Sequence, residues 1–175
     1  MRSDEPLASS VEYEVIKVKE GIAVPATVQV ATEVPFTIVA NDNEIATLMC
    51  TPQNLEELAY GFLYTSGIIN HKNDVASYDC DDSKWVARLE LRDMPELSVL
   101  NKRLYTSGCG KGVMYSSIVE ISSRHPIRTS FEVDYNALVA LMQWLQQSSV
   151  LFKKSGGVHT AAVSEGGALP AAGID

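Results

Sequence analysis

Cysteine is scarce in this chain of 175 residues: Cys50, Cys80 and Cys109 are an odd number, widely spaced. They do not make a disulfide framework, and a reducing cytoplasm is the simplest home for them. Long apolar runs are missing too. No stretch of about 18 apolar residues exists, which excludes a transmembrane helix, and the opening MRSDEPLASSVEYEV has no apolar segment of signal-peptide length. Positive charge is in deficit, with 14 Lys+Arg against 22 Asp+Glu, which argues against a general nucleic-acid binder. There is no internal repeat, no low-complexity tract and no linker rich in Pro, Gly and Ser. The chain therefore reads as one α/β domain over 1–175, with 1–20 an N-terminal strand or extension and 21–175 the core.

What is present, 46% hydrophobic and 21% charged residues, suits a soluble globular protein. VEYEVIKVK alternates apolar and polar residues and predicts a half-buried strand over Val11–Lys19. VPFTIVANDNEIATLMCTP predicts a hairpin turning at Asn41-Asp42-Asn43, with Cys50 a small core residue. TPQNLEELAYGFLYTSGII predicts a helix capped by Thr51 or Asn54 and stopped by Gly67, with Leu55, Leu58, Ala59, Phe62 and Leu63 on one apolar stripe. Strands around Val75–Cys80 and over KWVARLELRD, with Trp85, Ala87, Leu89 and Leu91 on one side, make a second hairpin. DYNALVALMQWLQQSSVLF predicts a helix capped by Asp134, with Leu138, Leu141, Met142 and Leu145 in line. After Gly156-Gly157 come an apolar strand through Val163, a Gly166-Gly167 turn and a final strand. Helices mixed with hairpins indicate an α/β fold with a mixed sheet.

The segment that invites chemistry is LYTSGCGKGVMY, which sets Cys109 among Gly108, Gly110 and Gly112 with Lys111 beside it. Thiolate is the reactive form of cysteine. Glycine N–H groups can approach a sulfur anion closely, Lys111 would add charge, and a helix beginning at Val113 would add its positive end, although GVMYSSIVEISS also permits a strand. The charge distribution agrees: residues 1–100 hold 7 Lys+Arg against 17 Asp+Glu, whereas 101–175 hold 7 against 5. A locally positive field would suit an anionic ligand and lower a thiol's pKa. The other reading of this stretch is an ordinary glycine turn, since position in sequence is a poor proxy for position in space. Cys80, among Asp79, Asp81 and Asp82, would have its thiolate disfavoured by like charge. No Cys/His ligand spacing for zinc, no phosphate loop and no nucleophile elbow is present. His71 and His125 read as surface turn residues; His159, in SGGVHTAAV, is either a site residue or a satisfied core group.

Taken together and in order, TEVPFTIVANDNEIATLMCTPQNLEELAYGFLYTSGII, TSGCGKG and SGGVHTAAV resemble the formate dehydrogenase accessory sulfurtransferase family, FdhD. The resemblance spans Glu33 to Asp175. It implies a cytoplasmic sulfurtransferase that takes persulfide sulfur from a cysteine desulfurase and passes it to the bis-guanine-dinucleotide molybdenum (or tungsten) cofactor of formate dehydrogenase. It implies a cytidine-deaminase-like three-layer α/β/α sandwich with a mixed sheet and an N-terminal β-hairpin region, as a homodimer, without catalytic zinc or another structural metal. Carried over residue by residue, Cys109 is the persulfide carrier, and Thr106, Ser107, Gly108 and Gly110 belong to its loop. Gly156, Gly157 and His159 match a G-G-x-H segment expected to face the guanine-nucleotide end of the cofactor or the active loop. Lys111 is added on physical grounds. No nucleic acid or membrane partner is implied. Two departures stand out. Gly112 replaces the second cysteine of the family's C-x-x-C loop, so Cys109 would accept and donate sulfur alone. The chain also ends at ALPAAGID, where family members continue into a Gly-Arg-His-Asn run, so the core is expected to lack its C-terminal part. The alternatives are a non-enzymatic binding protein or chaperone for the cofactor or apo-enzyme, and, more weakly, a Cys109/His159 acyl hydrolase.

Overall fold

A computed structural model describes residues 7–93, 104–105, 113–114, 128–165 and 171–174. The chain gathers into two compact units, one of Met1–Glu33, Cys50–Gln53 and Ser130–Asp175, the other of Val34–Met49 and Asn54–Thr129.

The second unit is built on a four-stranded mixed sheet. β3 (Val34–Ala40) and β4 (Asn43–Cys50) form the expected hairpin, and β5 (Val75–Asp81) and β6 (Val86–Leu91) form another, in the spatial order β4-β3-β6-β5. β3 and β6 run parallel, with Ile38 beside Ala87 and Ala40 beside Leu89; β5 and β6 run antiparallel. Asn41 and Asp42 both have positive φ, which a tight two-residue hairpin needs and which Asn and Asp tolerate best after Gly. Asn41 also extends the sheet: its Oδ1 accepts from the Leu91 N–H at 2.6 Å and its Nδ2 donates to the Leu91 carbonyl at 3.1 Å.

One face of this sheet is the core. Val34, Phe36, Ile38 and Ala40 of β3 alternate with exposed or half-buried residues, as do Ala87, Leu89 and Leu91 of β6. Each large side chain fully buried there contributes about 1.5–3 kcal/mol. Between β4 and β5 runs α1 (Leu55–Thr65), which packs on β6 and turns in the predicted stripe, with Ala59 and Leu63 buried and Leu55, Leu58 and Phe62 half-buried. Its end is a Schellman motif. Gly67 takes φ +70°, the Ile68 N–H reaches the Leu63 carbonyl at 2.9 Å and the Gly67 N–H reaches that of Tyr64 at 3.0 Å. The start of α1 differs from expectation: Asn54 stands at the N-cap with φ 52° and no side-chain bond, while Thr51 Oγ1 is buried and unpaired. Trp85 also departs from the reading as a strand residue. It sits in the β5–β6 turn at φ 57°, and its carbonyl accepts from the Thr37 N–H.

In the first unit β1 (Ser10–Lys19) and β2 (Ile22–Ala31) form a ten-pair hairpin through Glu20-Gly21, both at positive φ. β1 was expected to be half-buried, but Val11, Tyr13, Ile16 and Val18 are all exposed, because a two-stranded ribbon has no further layer of its own to cover it. β2 was not read from the residues themselves, although the resemblance implied an N-terminal β-hairpin region; Pro25, which removes a backbone donor, suits an edge strand, and edge strand is the outcome. α2 (Tyr135–Ser148) begins where predicted, with Asp134 Oδ1 accepting from the N–H groups of Asn136 and Ala137. Its inward stripe is shifted from the predicted one. Leu138 and Met142 are exposed, whereas Ala137, Leu141, Trp144 and Leu145 are half-buried. α3 (Val150–Ser155) packs on β2, and β9 (Thr160–Val163) pairs antiparallel with β10 (Ala171–Ile174). The Gly166-Gly167 turn lies outside the described residues.

Candidate functional site

Two of the three thiols are described, and neither is poised as a nucleophile. Cys50 is buried at the end of β4. Cys80 lies opposite Ala87 on the core side of β5, one pleat from Tyr78, whose ring meets that of Tyr60 at 6.1 Å. Burial pushes the Cys80 thiol pKa up; the bond with Tyr78 opposes this, whereas Asp82, by accepting the S–H at 3.2 Å and by its charge, and Asp79 add to the rise. Sequence identified the acids around Cys80, but burial is the larger cause. The Tyr78 phenol is also raised, first by burial and then by its bond to Cys80.

Cys109 and its neighbours Thr106, Ser107, Gly108, Gly110 and Lys111 lie outside the described residues. Described residues flank them closely. β7 (Leu104–Tyr105) pairs antiparallel with β8 (Val113–Met114), with Tyr105 opposite Val113. The segment 106–112 therefore starts and ends at one strand pair in the second unit. Val113–Met114 takes the strand alternative, and the rest of GVMYSSIVEISS lies outside the described residues.

The G-G-x-H segment is described in full, in the first unit. Gly156 ends α3 in the left-handed region at φ +66°, with its N–H bonded to the Phe152 carbonyl at 2.7 Å. The Gly157 N–H is bonded to Ser155 Oγ at 3.2 Å, and that hydroxyl donates to the Leu151 carbonyl. Both glycine N–H groups are thus used inside the turn, and what the pair leaves open is space: a Cβ on Gly156 would meet nothing within 4 Å. Buried Val158 and Leu151 anchor the turn, as does buried Ser149, which accepts from the Thr160 hydroxyl at 2.6 Å. His159 stands exposed between Val158 and Thr160, so it is not a core histidine. His71 is exposed as expected, with its Nδ1 accepting from the Asn73 N–H; His125 lies outside the described residues.

A shallow cleft of about 350 Å³ opens beside Gly157, walled by Val28–Ala31 of β2 together with Glu33 and Ser155. Sequence reasoning passed over Ser149, Ser155 and Glu33. Ser155 directly before Gly-Gly at a helix end was the available signal, since a serine there can bond back to the last turn. Among the described residues, no three His, Cys, Asp or Glu side chains cluster as metal ligands would, and no helix is long and apolar enough to cross a membrane.

A mixed α/β protein with one buried and one half-buried thiol, a third cysteine that lies in sequence between two paired strands, and an exposed Gly-Gly-Val-His turn defines the class in which the chain finds its relatives. Residues 31–173 match the FdhD/NarQ family, and the chain belongs to that family. It is 34% identical over 154 residues to the sulfur carrier protein FdhD of Staphylococcus haemolyticus, covering 87% of this chain and 58% of that protein. It is 35% identical over 137 residues to the protein of the same name from Bacillus licheniformis, covering 77% and 52%. The chain therefore spans little more than half the length of these relatives. A solved structure from Desulfotalea psychrophila, described as a formate dehydrogenase accessory protein, superposes with a TM-score of 0.70 at 17% identity, over 95% of this chain and 63% of that one. That likeness concerns the fold.

Proposed function

We propose that the chain is the sulfur-carrying part of a formate dehydrogenase maturation protein, with Cys109 as the carrier. The observation that supports this reading is that Cys50 is buried and that burial and Asp82 raise the Cys80 thiol pKa, so neither described thiol favours the thiolate that transfer needs. Family membership and the sulfur-carrier names of its relatives support it. In the proposed reaction the Cys109 thiolate attacks the terminal sulfur of a persulfide on a cysteine desulfurase, and the donor cysteine leaves as thiolate. Cys109 holds the persulfide until the molybdenum or tungsten cofactor, its substrate, takes the outer sulfur atom; the S–S bond then breaks and Cys109 leaves as thiolate. Lys111 lowers the thiol pKa, and Thr106, Ser107, Gly108 and Gly110 shape the loop. Gly156, Gly157 and His159 take the guanine-nucleotide end, consistent with the open side of Gly156 and the adjacent cleft. A cytidine-deaminase-like three-layer fold, a homodimer and a cytoplasmic location belong to the same reading.

The test is incubation of the full-length protein with a cysteine desulfurase and cysteine, followed by intact mass and peptide mapping. One added sulfur on Cys109, absent in Cys109→Ser and retained in Cys80→Ser, is expected. An adduct that survives Cys109→Ser would sink the proposal, and normal maturation of formate dehydrogenase with Cys109→Ala would favour a binding protein or chaperone instead.

A further inference from the structure

The second unit carries a cleft of about 530 Å³ that plays no part in the sulfur chemistry above. Glu56, Glu57 and Tyr60 line it from α1, and Lys72, Asn73 and Arg92 line it from the 3-10 turn before β5 and the end of β6. This turn is firmly built. Asp74 Oδ2 accepts from the N–H groups of Asn70 and His71 at 2.8 and 2.9 Å, bonds that hold its carboxyl below the usual range. Arg92 is fixed against the turn, its Nε donating to the Asn73 carbonyl at 3.0 Å and its backbone N–H to that of Asp74 at 2.9 Å. Among the described residues, no hydrogen bond engages the two terminal guanidinium nitrogens of Arg92. Two cations and two anions thus share one cleft, yet the ion pair formed among the described residues is elsewhere, between Lys84 and Asp81. Charges that line one cleft and are unpaired among the described residues are open to a ligand that brings both signs.

We propose that this cleft docks an extended peptide segment of a partner protein that carries an acidic and a basic side chain close together. The acid faces Lys72 and Arg92, and the base faces Glu56 and Glu57. The volume is too large for a single ion and falls in the range of about 300–1,000 Å³ that holds a drug-sized ligand. Tyr60 and Val75 add apolar surface on which the backbone and side-chain stems of a peptide can lie.

The probe is a blocked tripeptide of aspartate, alanine and lysine, titrated into the full chain at low salt. Shifts of the Tyr60 ring and Arg92 Nε–H resonances are followed by NMR, with two controls in which glutamine replaces either the aspartate or the lysine. Shifts that saturate for the two-charge peptide and weaken with salt are expected, as is a loss of affinity of up to about fivefold for each control, because exposed ion pairs are individually weak. Lys72→Gln and Glu57→Gln should each reproduce one control. Lys72 makes no side-chain hydrogen bond among the described residues, so its replacement leaves the turn intact. Equal binding of a control peptide, no shift at millimolar peptide, or tighter binding of free lysine than of the blocked peptide would overturn the proposal.

Discussion

The Gly-Gly pair at the end of α3 separates backbone need from ligand need, because its two members face different constraints. Gly156 has φ +66°, and an added Cβ would meet no atom within 4 Å, so Gly156→Ala carries the left-handed backbone penalty with no steric term. That penalty is about 1–2 kcal/mol for an alanine. Gly157 has no such φ, and its Cβ would rest 3.6 Å from Ala31 Cβ and 3.9 Å from Ser155 Oγ, both ordinary contacts. Gly157→Ala should therefore be neutral or stabilising by up to about 1 kcal/mol, through the reduced entropy of the unfolded chain. Equilibrium urea unfolding should separate the variants by about 1–3 kcal/mol, with equal slopes. In a chain of this size each kcal/mol corresponds to about 2–4 °C in melting temperature. Gly156→Asn should recover part of the loss, since asparagine tolerates the left-handed region. If the nucleotide end of the cofactor approaches this turn, the new methyl of Gly157→Ala will weaken GDP binding with stability intact. A neutral Gly156→Ala, or a Gly157→Ala that loses more than about 1 kcal/mol, would refute the backbone reasoning.

Three further outcomes are expected. Asn41→Ala removes both side-chain bonds to Leu91 and places a Cβ without local polar support at φ 44°, so it should cost about 2 kcal/mol in urea unfolding; Asn41→Asp, which keeps the acceptor, should cost less. Asp81 is held at about 2, first by the Lys84 ammonium at 2.8 Å and then by Ser83, below its ordinary 3.8. Its charged form is favoured on folding, so its contribution is present above pH 3.8 and fades as pH falls towards about 2, and salt weakens it. An NMR titration of Asp81 should show this midpoint, and Lys84→Ala should raise it only part of the way, because the Ser83 bonds persist. Cys80 should alkylate with iodoacetamide at pH 8 more slowly than free cysteine, and Asp82→Asn should speed the reaction without equalising it, because burial is the larger cause; a Cys80 as fast as the free thiol would contradict this.

The sequence was most readable where one residue does one local job. Gly67 as a helix stop, Asp134 as a cap and the alternation of Ala87, Leu89 and Leu91 each follow from backbone geometry or strand period, which need no knowledge of distant partners. The misses required such knowledge. The apolar residues of α2 fill two adjoining stripes, and only packing selects Ala137, Leu141 and Leu145 over Leu138 and Met142. In β1 the period correctly predicted a strand, but burial depends on a covering layer that period does not encode. At α1 the sequence offers two capping residues, while the chain's entry takes Asn54 into the left-handed region, where its side chain makes no capping bond. For the site, the packing of Gly157 was invisible because its neighbour Ala31 lies more than a hundred residues away along the chain.

The strand at Val113 shifts the chemical burden of the proposed carrier. A helix beginning there would have offered several unpaired N–H groups and a positive dipole end to a thiolate; a short antiparallel pair offers neither, since strand dipoles alternate. In the proposed reading, Lys111 and the glycine N–H groups are the groups beside Cys109 in sequence that would stabilise its thiolate. That assignment suits a carrier better than a permanent nucleophile. A thiol attacks a persulfide best when its pKa lies near ambient pH, because nucleophilicity falls as the thiolate becomes more stable. A lysine two residues from the cysteine in sequence would favour the thiolate by its charge. With Gly112 in place of a second cysteine, the loop sequence holds no neighbouring thiol to attack a persulfide on Cys109 and release its sulfur, so in the proposed reading loading and holding both fall to a single cysteine.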